Sequence, residues 1–426
     1  IESGYFREMF IASEIVASCA LSDKGRVFLQ PLLESGTLDF LLESDNTEIS
    51  SGAASAVAKL GMSSKLVPKD EGEMVSMLQL AIDLLYDNHQ GSEDQTSIER
   101  GVEILSFLTS VTMIKDELAH GFKSSNRLQQ TAPALERLVE LASLSGAPES
   151  RYAYGLAVAF SLMSVSVESL RKEAFEGKDI TLEEYNQLQS LAKTQEEKQQ
   201  SQKEEDKDSE VSVRARIRKM AAANVPRAIV KLLDGDASES TQEQLVIAMC
   251  RMAVEETARG IMIQQGCLTS CLKMDKDMGN GSELQKKIVR FCRHCIAKLL
   301  ITTNPLVLTN AQLLGCIKPL LLLLHDNDST DLQRFEALLS LTNLASTGEA
   351  TKNKIVSEKG LSILNYAMFS EHEMVRRAAT EAMSNLFPHC DFVSFLEAPE
   401  HLKLWVAFAC DFEDNFECPR AAAGCL

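Results

Sequence analysis

A helical pattern returns along this chain every 42 to 47 residues. Asn343-Leu344 is followed 42 residues later by Asn385-Leu386, and the equivalent positions of the two preceding copies hold Lys298-Leu299 and Arg251-Met252. A period in this range is typical of solenoids that stack two or three helices per repeat. We therefore predict an all-α, armadillo- or HEAT-like right-handed helical solenoid, in which an extended face rather than a catalytic pocket carries the function.

The length and the charge of the chain restrict its class. A chain of 426 residues is too long for one compact core and suits an extended array of repeats. Its 43 basic and 61 acidic residues give a net charge of −18, which disfavours nucleic-acid binding, because that rests on a positive surface. No apolar run approaches the roughly 18 residues that a membrane-spanning helix needs. We expect no nucleic-acid partner and no membrane span.

The cysteines indicate a reducing environment. Eleven cysteines in 426 residues are too few for a disulfide scaffold, so we expect reduced thiols and a cytoplasmic protein. Cys292-Arg-His-Cys295 has the spacing of half a zinc site, and Cys267 and Cys271 are candidates for the second pair. The repeat alignment places Cys292 on a core stripe, however, so we expect no metal and no cofactor. A hydrolase or metalloenzyme would rest only on scattered His and Cys residues, and we expect no enzymatic activity.

One segment interrupts the helical pattern. Between Gln195 and Glu210 there are seven acidic residues and three lysines but no apolar residue. Such a stretch cannot bury enough surface to offset the loss of chain entropy. We interpret residues 171–213 as a charged flexible insertion between armadillo-like repeats at 1–170 and a second set of repeats at 214–426. The basic residues from Arg214 to Lys219 are expected to open the next helix.

The ends of the sequence are abrupt. Ile1 is not an initiator methionine, and Leu426 falls inside an expected helix. We expect the sequence to be a fragment of a longer chain.

A helical wheel separates two sides of the helix predicted over Asp331–Ala345. Phe335, Leu339 and Asn343 lie on one side, at a spacing of four residues. The opposite side is the expected core stripe: Ala337, Leu338, Leu341, Leu344 and Ala345. Phe and Leu on a side that turns away from the core are unusual for a purely solvated surface.

The repeat interval extends this outward side to the neighbouring copies. In the following repeat, where a helix is predicted over Glu373–Phe387, it selects Arg377, Glu381 and Asn385; in preceding repeats it selects Lys298 and Arg251. We call the eight residues the candidate face: Arg251, Lys298, Phe335, Leu339, Asn343, Arg377, Glu381 and Asn385. Stacked helices would join them into the floor of a groove that binds a partner.

The asparagines suggest how such a groove would bind. An asparagine amide both donates and accepts hydrogen bonds, so Asn343 and Asn385 suit the backbone of an extended peptide. The alternative is that these side chains only contact helices of their own or adjacent repeats.

The C-terminal half contains a dense series of blocks. In order, they are Ile301-Thr-Thr-Asn-Pro305, Ile317-Lys-Pro-Leu-Leu-Leu-Leu-Leu324, Phe335-Glu-Ala-Leu-Leu-Ser-Leu-Thr-Asn-Leu-Ala-Ser346, Lys354-Ile-Val-Ser-Glu-Lys-Gly360, Arg377-Ala-Ala-Thr-Glu-Ala-Met-Ser-Asn-Leu386, Lys403-Leu-Trp405 and Arg420-Ala-Ala-Ala-Gly424. Over about 214–426 this series resembles the UCS domain of myosin chaperones. The N-terminal half is similar to that family only in its helical, armadillo-like character.

The resemblance implies a fold, a partner and an activity. It implies an armadillo-type superhelix that binds the motor domain of the myosin heavy chain and assists its folding, without catalysis or cofactor. It places contacts with myosin at Phe335, Asn343, Arg377 and Asn385, and in a flexible loop that falls here at about 177–212. Animal members also dock the Hsp90 chaperone through a tetratricopeptide domain, but no pattern with its period of about 34 residues is visible in this chain. The myosin class and self-association stay open.

A general armadillo adaptor or scaffold that binds extended peptides of another partner is the alternative. A nuclear-import carrier would need Trp and Asn ladders and an acidic groove, whereas this chain has one Trp and carries Arg and Lys on the candidate face. A preference for myosin over unrelated proteins would separate these functions.

Overall fold

The structure of the chain is a computed structural model that describes residues 2–63, 71–86, 88–89, 92–93, 95–121, 133–175, 208–278, 281–387, 389–410, 417–424 and 426. Apart from turns and connections, these residues are helical, with one antiparallel pair of two-residue strands, β1 (Asn88–His89) and β2 (Ser92–Glu93). The predicted all-α fold of stacked helices is confirmed. The chain forms two compact units, Ile1–Ala248 and Met249–Leu426.

Stacked helices build the first unit. They are α1 (Glu2–Cys19), α2 (Asp23–Glu34), α3 (Asp39–Leu42), α4 (Thr47–Ser63), α5 (Glu71–Leu85), α6 (Gln95–Leu108), α7 (Thr112–His120), α8 (Ala134–Ala142), α9 (Ala153–Met163), α10 (Val167–Phe175), α11 (Glu210–Ala222), α12 (Val225–Leu233) and the start of α13 (Glu239–Met252). Helix α1 packs on α4, α4 on α6, and α6 on α9. The core consists of small and aliphatic side chains such as Ala53, Leu78 and Val102, which are fully buried. Each helix thus buries one apolar stripe against its neighbour.

A buried cluster of charges joins the two sides of the insertion within the first unit. The Asp208 carboxylate accepts hydrogen bonds from Lys115 Nζ at 3.3 Å, Arg216 Nη2 at 2.6 Å and the backbone amide of Val167 at 2.7 Å. Arg216 also donates to Asp116 Oδ1 at 2.9 Å. Burial alone would raise the pKa of Asp208, but the charge of Lys115 and the hydrogen bond from Arg216 outweigh it, so the pKa is lowered. Val167, before the insertion, and Asp208, after it, are therefore held together.

The structure gives narrower limits for the insertion than the sequence does. Helix α10 continues to Phe175, and Ser209 caps the first turn of α11 through its hydroxyl. Most of the predicted insertion, residues 176–207, lies outside the described residues. The two compact units divide after Ala248 rather than at the insertion, because α11 packs back on α7 and α9. The helix opens at Glu210 rather than at the basic residues, which lie in its middle and last turn, and Arg216 is fully buried and belongs to the charge cluster.

The second unit repeats one arrangement several times. After the end of α13 it contains α14 (Glu256–Gln264), α15 (Cys267–Met278), α16 (Glu283–Leu300), a 3-10 turn (Pro305–Val307), α17 (Asn310–His325), α18 (Asp331–Ala345), α19 (Glu349–Ser357), α20 (Gly360–Ala367), α21 (Glu373–Ser384), α22 (Cys390–Leu396), α23 (Pro399–Cys410) and α24 (Glu417–Ala423). Helix α16 packs on α18, α18 on α21, and α21 on α24. These four helices form one continuous layer of the second unit.

Capping boxes fix the starts of three helices in this unit. Ser282 before α16, Thr309 before α17 and Thr330 before α18 each accept a hydrogen bond from the backbone amide three residues later, and the glutamine at that position bonds back to the amide of the cap. Each box satisfies two amides that a helix start leaves without partners, and a cap of this kind is worth about 1 kcal/mol. The caps therefore define where each stacked helix begins.

No single helix among the described residues is long and apolar enough to cross a membrane. Helices α9 and α10 together have the length and composition of a membrane span, but the angle between the two helices is 105°. In the structure Leu156, Ala157 and Phe160 of α9 are buried in the core of the first unit.

Candidate functional site

Helix α18 has the two sides that the helical wheel predicts. The stripe of Ala337, Leu338, Leu341, Leu344 and Ala345 is buried at 1% exposure or less, against the rest of the second unit. Phe335, Leu339 and Asn343 are each half-buried. Two apolar side chains and one amide on this helix therefore remain partly accessible.

Asn343 links two successive helices of the layer. Its Nδ2 donates to the carbonyl oxygens of Leu300 at 3.1 Å and Ile301 at 2.6 Å. The last four carbonyls of a helix have no partner within the helix, and these two lie where α16 ends. Ser340 supports the same contact by donating from Oγ to the carbonyl oxygen of Ala297 at 2.7 Å. Asn343 thus caps the helix of the preceding repeat.

Asn385 makes the equivalent contact one repeat later. Its Nδ2 donates to the carbonyl oxygen of Thr342, near the end of α18, at 3.2 Å. For both asparagines, then, the amide donors contact the adjacent repeat, as the alternative interpretation of the sequence expects. Neither Oδ1 accepts a hydrogen bond within the described part of the chain, and both side chains are half-buried. Asn343 therefore offers a partner an acceptor, and Asn385 offers an acceptor and its second N–H.

The charged members of the candidate face are also partly engaged. Arg377 Nε lies 3.1 Å from Glu381 Oε1, one helical turn along α21, and their side chains are 32% and 33% exposed. Such a pair on an accessible helix surface is weak, at roughly 0.2–0.5 kcal/mol, and is easily exchanged for charges on a partner. Arg251, at the end of α13, is half-buried.

Lys298 belongs to a compact polar cluster between α13, α16 and α18. Its Nζ lies 3.0 Å from Glu336 Oε1, while the other carboxylate oxygen lies 2.5 Å from His294 Nε2. On the other side of the ring, His294 Nδ1 lies 3.5 Å from Cys250 Sγ and 3.4 Å from the Gln333 amide nitrogen. Three successive repeats therefore meet at one imidazole.

The cluster sets the charge of that imidazole. Burial alone would lower the pKa of His294, but Cys250 and the hydrogen bond to Glu336 outweigh it and raise the pKa to about 9. Burial would also raise the pKa of Glu336, yet the hydrogen bond from His294 and the charge of Lys298 lower it. At neutral pH the cluster holds an imidazolium and a carboxylate in contact.

The four cysteines considered for zinc lie together between α15 and α16. Cys271 is within hydrogen-bonding reach of the Cys292 and Cys295 thiols, and all four side chains are fully buried. Burial and the neighbouring thiols raise the pKa values of Cys267, Cys271 and Cys295 well above the ordinary value. Metal binding needs thiolates, which this environment disfavours. Within the described ranges, no group of three or more His, Cys, Asp or Glu residues is arranged to hold a metal ion.

Glu336 is not among the site residues that the sequence predicts. It lies one residue after Phe335, but its carboxylate contacts His294 and Lys298. A usable signal exists, since Cys250, His294 and Glu336 follow each other at intervals of 44 and 42 residues. Residues one period apart lie on adjacent helices of the layer, so polar residues at this spacing are expected to meet.

Comparison with known proteins shows which proteins this chain resembles. No protein-family model matches the chain. Protein unc-45 homolog B of Xenopus tropicalis is 30% identical over 220 residues, which are 50% of this chain and 23% of that protein. The human protein of the same name is 28% identical over 331 residues, or 76% of this chain and 32% of that protein. The chain is similar to the UNC-45 proteins.

The architecture agrees with this relationship. The crystal structure of the myosin chaperone UNC-45 from C. elegans in complex with an Hsp90 peptide has a TM-score of 0.67 and 24% identity, and the match covers 97% of this chain and 40% of that one. The chain therefore shares its solenoid fold with UNC-45, as the UCS resemblance predicts. The matched regions span about a quarter to a third of the length of the two unc-45 homologues.

Proposed function

We propose that this chain binds the motor domain of the myosin heavy chain through the candidate face and assists its folding. The observation that carries the proposal is the half-exposed state of Phe335, Leu339 and Asn343 on a helix whose opposite stripe is fully buried. The C. elegans UNC-45 that shares this fold is a myosin chaperone. The proposal concerns binding and folding, in the cytoplasm, and includes no catalytic step.

The face suits an extended or partly folded segment of the partner. Apolar side chains of that segment would pack on Phe335 and Leu339, where burying the remaining exposed area contributes about 25 cal/mol per Å². Backbone amides of the segment would donate to Oδ1 of Asn343 and Asn385. Arg377 and Glu381 pair with each other on an accessible surface, so a charged group of the partner could replace one member of this weak pair.

Hsp90 is the second proposed partner. The support is the C. elegans UNC-45 structure, which contains an Hsp90 peptide. In this proposal Hsp90 acts on the same myosin client, and no residue of the candidate face is assigned to Hsp90.

The test is whether the purified chain suppresses thermal aggregation of a myosin motor domain. We expect light scattering by the motor domain to fall with added chain, and scattering by an unrelated aggregating enzyme such as citrate synthase to stay unchanged. Equal protection of both proteins would favour a general peptide-binding adaptor. Absence of protection for the motor domain, with no complex on size-exclusion chromatography, would contradict the proposal.

A further inference from the structure

Cys250, His294 and Glu336 form a linear array across three repeats. Cys250 Sγ lies 3.5 Å from Nδ1 of the His294 ring, and Nε2 of the same ring lies 2.5 Å from Glu336 Oε2. A thiol, an imidazole and a carboxylate in this order are the parts of an activated cysteine nucleophile, in which the third group orients the base. Lys298 holds the second carboxylate oxygen at 3.0 Å and so fixes Glu336 in place.

The array is held by the fold rather than by flexible side chains alone. The three residues lie on α13, α16 and α18, one repeat interval apart, so the succession of repeats sets their spacing. The ring of His294 is 11% exposed and the carboxylate of Glu336 13% exposed, which keeps water from separating the charges. The pKa of about 9 for His294 agrees with an imidazolium that persists at neutral pH.

Cys250 differs from the other buried cysteines of the second unit in two respects. It retains 6% exposure, whereas Cys271 and Cys316 have none. It is also the cysteine that contacts an imidazole, while burial raises the pKa of Cys316 to about 12. Buried thiols without a base are inert, and a thiol beside a protonated imidazole is reactive.

We propose that Cys250 is a nucleophilic thiol that the His294 imidazolium activates by stabilising negative charge on the sulfur, with Glu336 as the group that positions the ring, and that it reacts with peroxide. The narrow exposure of Cys250 favours a small reagent. The inference does not depend on the proposed partner, because it concerns the reactivity of the free chain.

The reaction balances with peroxide as the oxidant. The thiol of Cys250 gives its proton to water, and Nδ1 of the His294 imidazolium donates a hydrogen bond to the sulfur while Nε2 keeps its contact with Glu336. The sulfur then attacks one peroxide oxygen, the O–O bond breaks, and the departing hydroxide takes a proton from the imidazolium. Cys250 becomes a sulfenic acid, hydrogen peroxide becomes water, and the proton given to water returns to the histidine.

The test follows each cysteine separately. The reduced chain is treated with hydrogen peroxide in the presence of dimedone, which traps sulfenic acids, and the adducts are quantified by peptide mass spectrometry. We expect Cys250 to be trapped at least about tenfold faster than Cys316, since Cys250 contacts an imidazolium and Cys316 is surrounded only by its buried environment. His294→Asn should remove most of this difference, and Glu336→Gln should reduce it several-fold, with the rate at Cys316 unchanged in both variants.

If the variants fail to fold, which would appear as faster trapping at Cys316, the comparison of Cys250 with Cys316 in the unaltered chain still tests the proposal. If Cys250 of the unaltered chain is trapped no faster than Cys316, the proposal is wrong.

Discussion

Asn343 donates its side-chain amide to the carbonyl oxygen of Ile301 at 2.6 Å, across 42 residues of sequence. The same nitrogen reaches the carbonyl oxygen of Leu300 at 3.1 Å. One side chain therefore ends the helix of the preceding repeat and still lies half-exposed on the candidate face. Stability and partner binding are coupled at this position, so a substitution here changes both.

Asn343→Asp should destabilise the second unit. It replaces two donors by a carboxylate that faces two carbonyl oxygens, and we expect a loss of roughly 1–3 kcal/mol in the free energy of unfolding, measured by urea denaturation with circular dichroism. Asn385→Asp is the matched control, because it removes a single hydrogen bond of 3.2 Å and should cost less. Equal losses for the two variants would show that the two hydrogen bonds of Asn343 contribute no more to stability than the single hydrogen bond of Asn385.

Asp208→Asn should be the more severe change. Lys115 has a fully buried side chain and would lose the carboxylate of Asp208, while Arg216 would keep only Asp116; breaking a buried ion pair costs about 3–5 kcal/mol. Glu210→Gln is the control: it breaks the exposed pair with Arg214 and should change stability by less than about 1 kcal/mol. A small effect of Asp208→Asn on the urea midpoint would contradict the role of the buried charge cluster.

The lowered pKa of Asp208 predicts that the free energy of unfolding falls at acid pH. The pKa of Asp208 is lowered in the folded chain, so its contribution is complete above the unfolded value of about 3.9 and is lost as the pH falls through the folded value. Unfolding midpoints measured from pH 6 down to pH 3 should therefore fall less steeply for Asp208→Asn than for the unaltered chain. Parallel curves would count against this assignment.

His294 predicts the opposite pH dependence. Its pKa is about 9 in the folded chain and about 6.5 when unfolded, so the stabilisation is complete below pH 6.5 and is lost as the pH rises through 9. The total is at most about 3.4 kcal/mol, from a shift of roughly 2.5 pH units. Urea midpoints between pH 6 and pH 9.5 should lose this slope in His294→Gln and keep it in His372→Gln, which changes an exposed ring. An unchanged slope in His294→Gln would refute the prediction.

The period of the sequence predicts helices and their core stripes well. The helix over Asp331–Ala345 has the predicted ends. Its start is fixed by the Thr330 cap, which directly precedes the segment that carries the apolar stripe. The helix predicted over Glu373–Phe387 ends at Ser384 instead, ahead of Pro388, since a proline disfavours helical geometry in the residue before it.

The hydrogen-bond partners of polar residues could not be predicted in the same way. Periodicity places Asn343 on an accessible side of its helix, but it does not tell whether the amide binds a ligand or the carbonyls of the preceding repeat. In the sequence, Arg216 belongs to a run of basic residues that suggests an exposed patch. In the structure it is buried, because Asp208 and Asp116, which is 100 residues away, neutralise its charge. Contacts of that sequence separation depend on how the helices stack, which the local pattern does not contain.

The most direct test of the account is the affinity of a myosin motor domain for variants of the candidate face, measured by isothermal titration calorimetry. Phe335→Ala combined with Leu339→Ala should weaken binding by at least about tenfold, or 1.4 kcal/mol. Tyr366→Ala, which removes a 79% exposed aromatic side chain from α20, should change the affinity by less than about twofold. Undiminished binding by the double variant, with its fold intact by circular dichroism, would contradict the proposal that this face holds myosin.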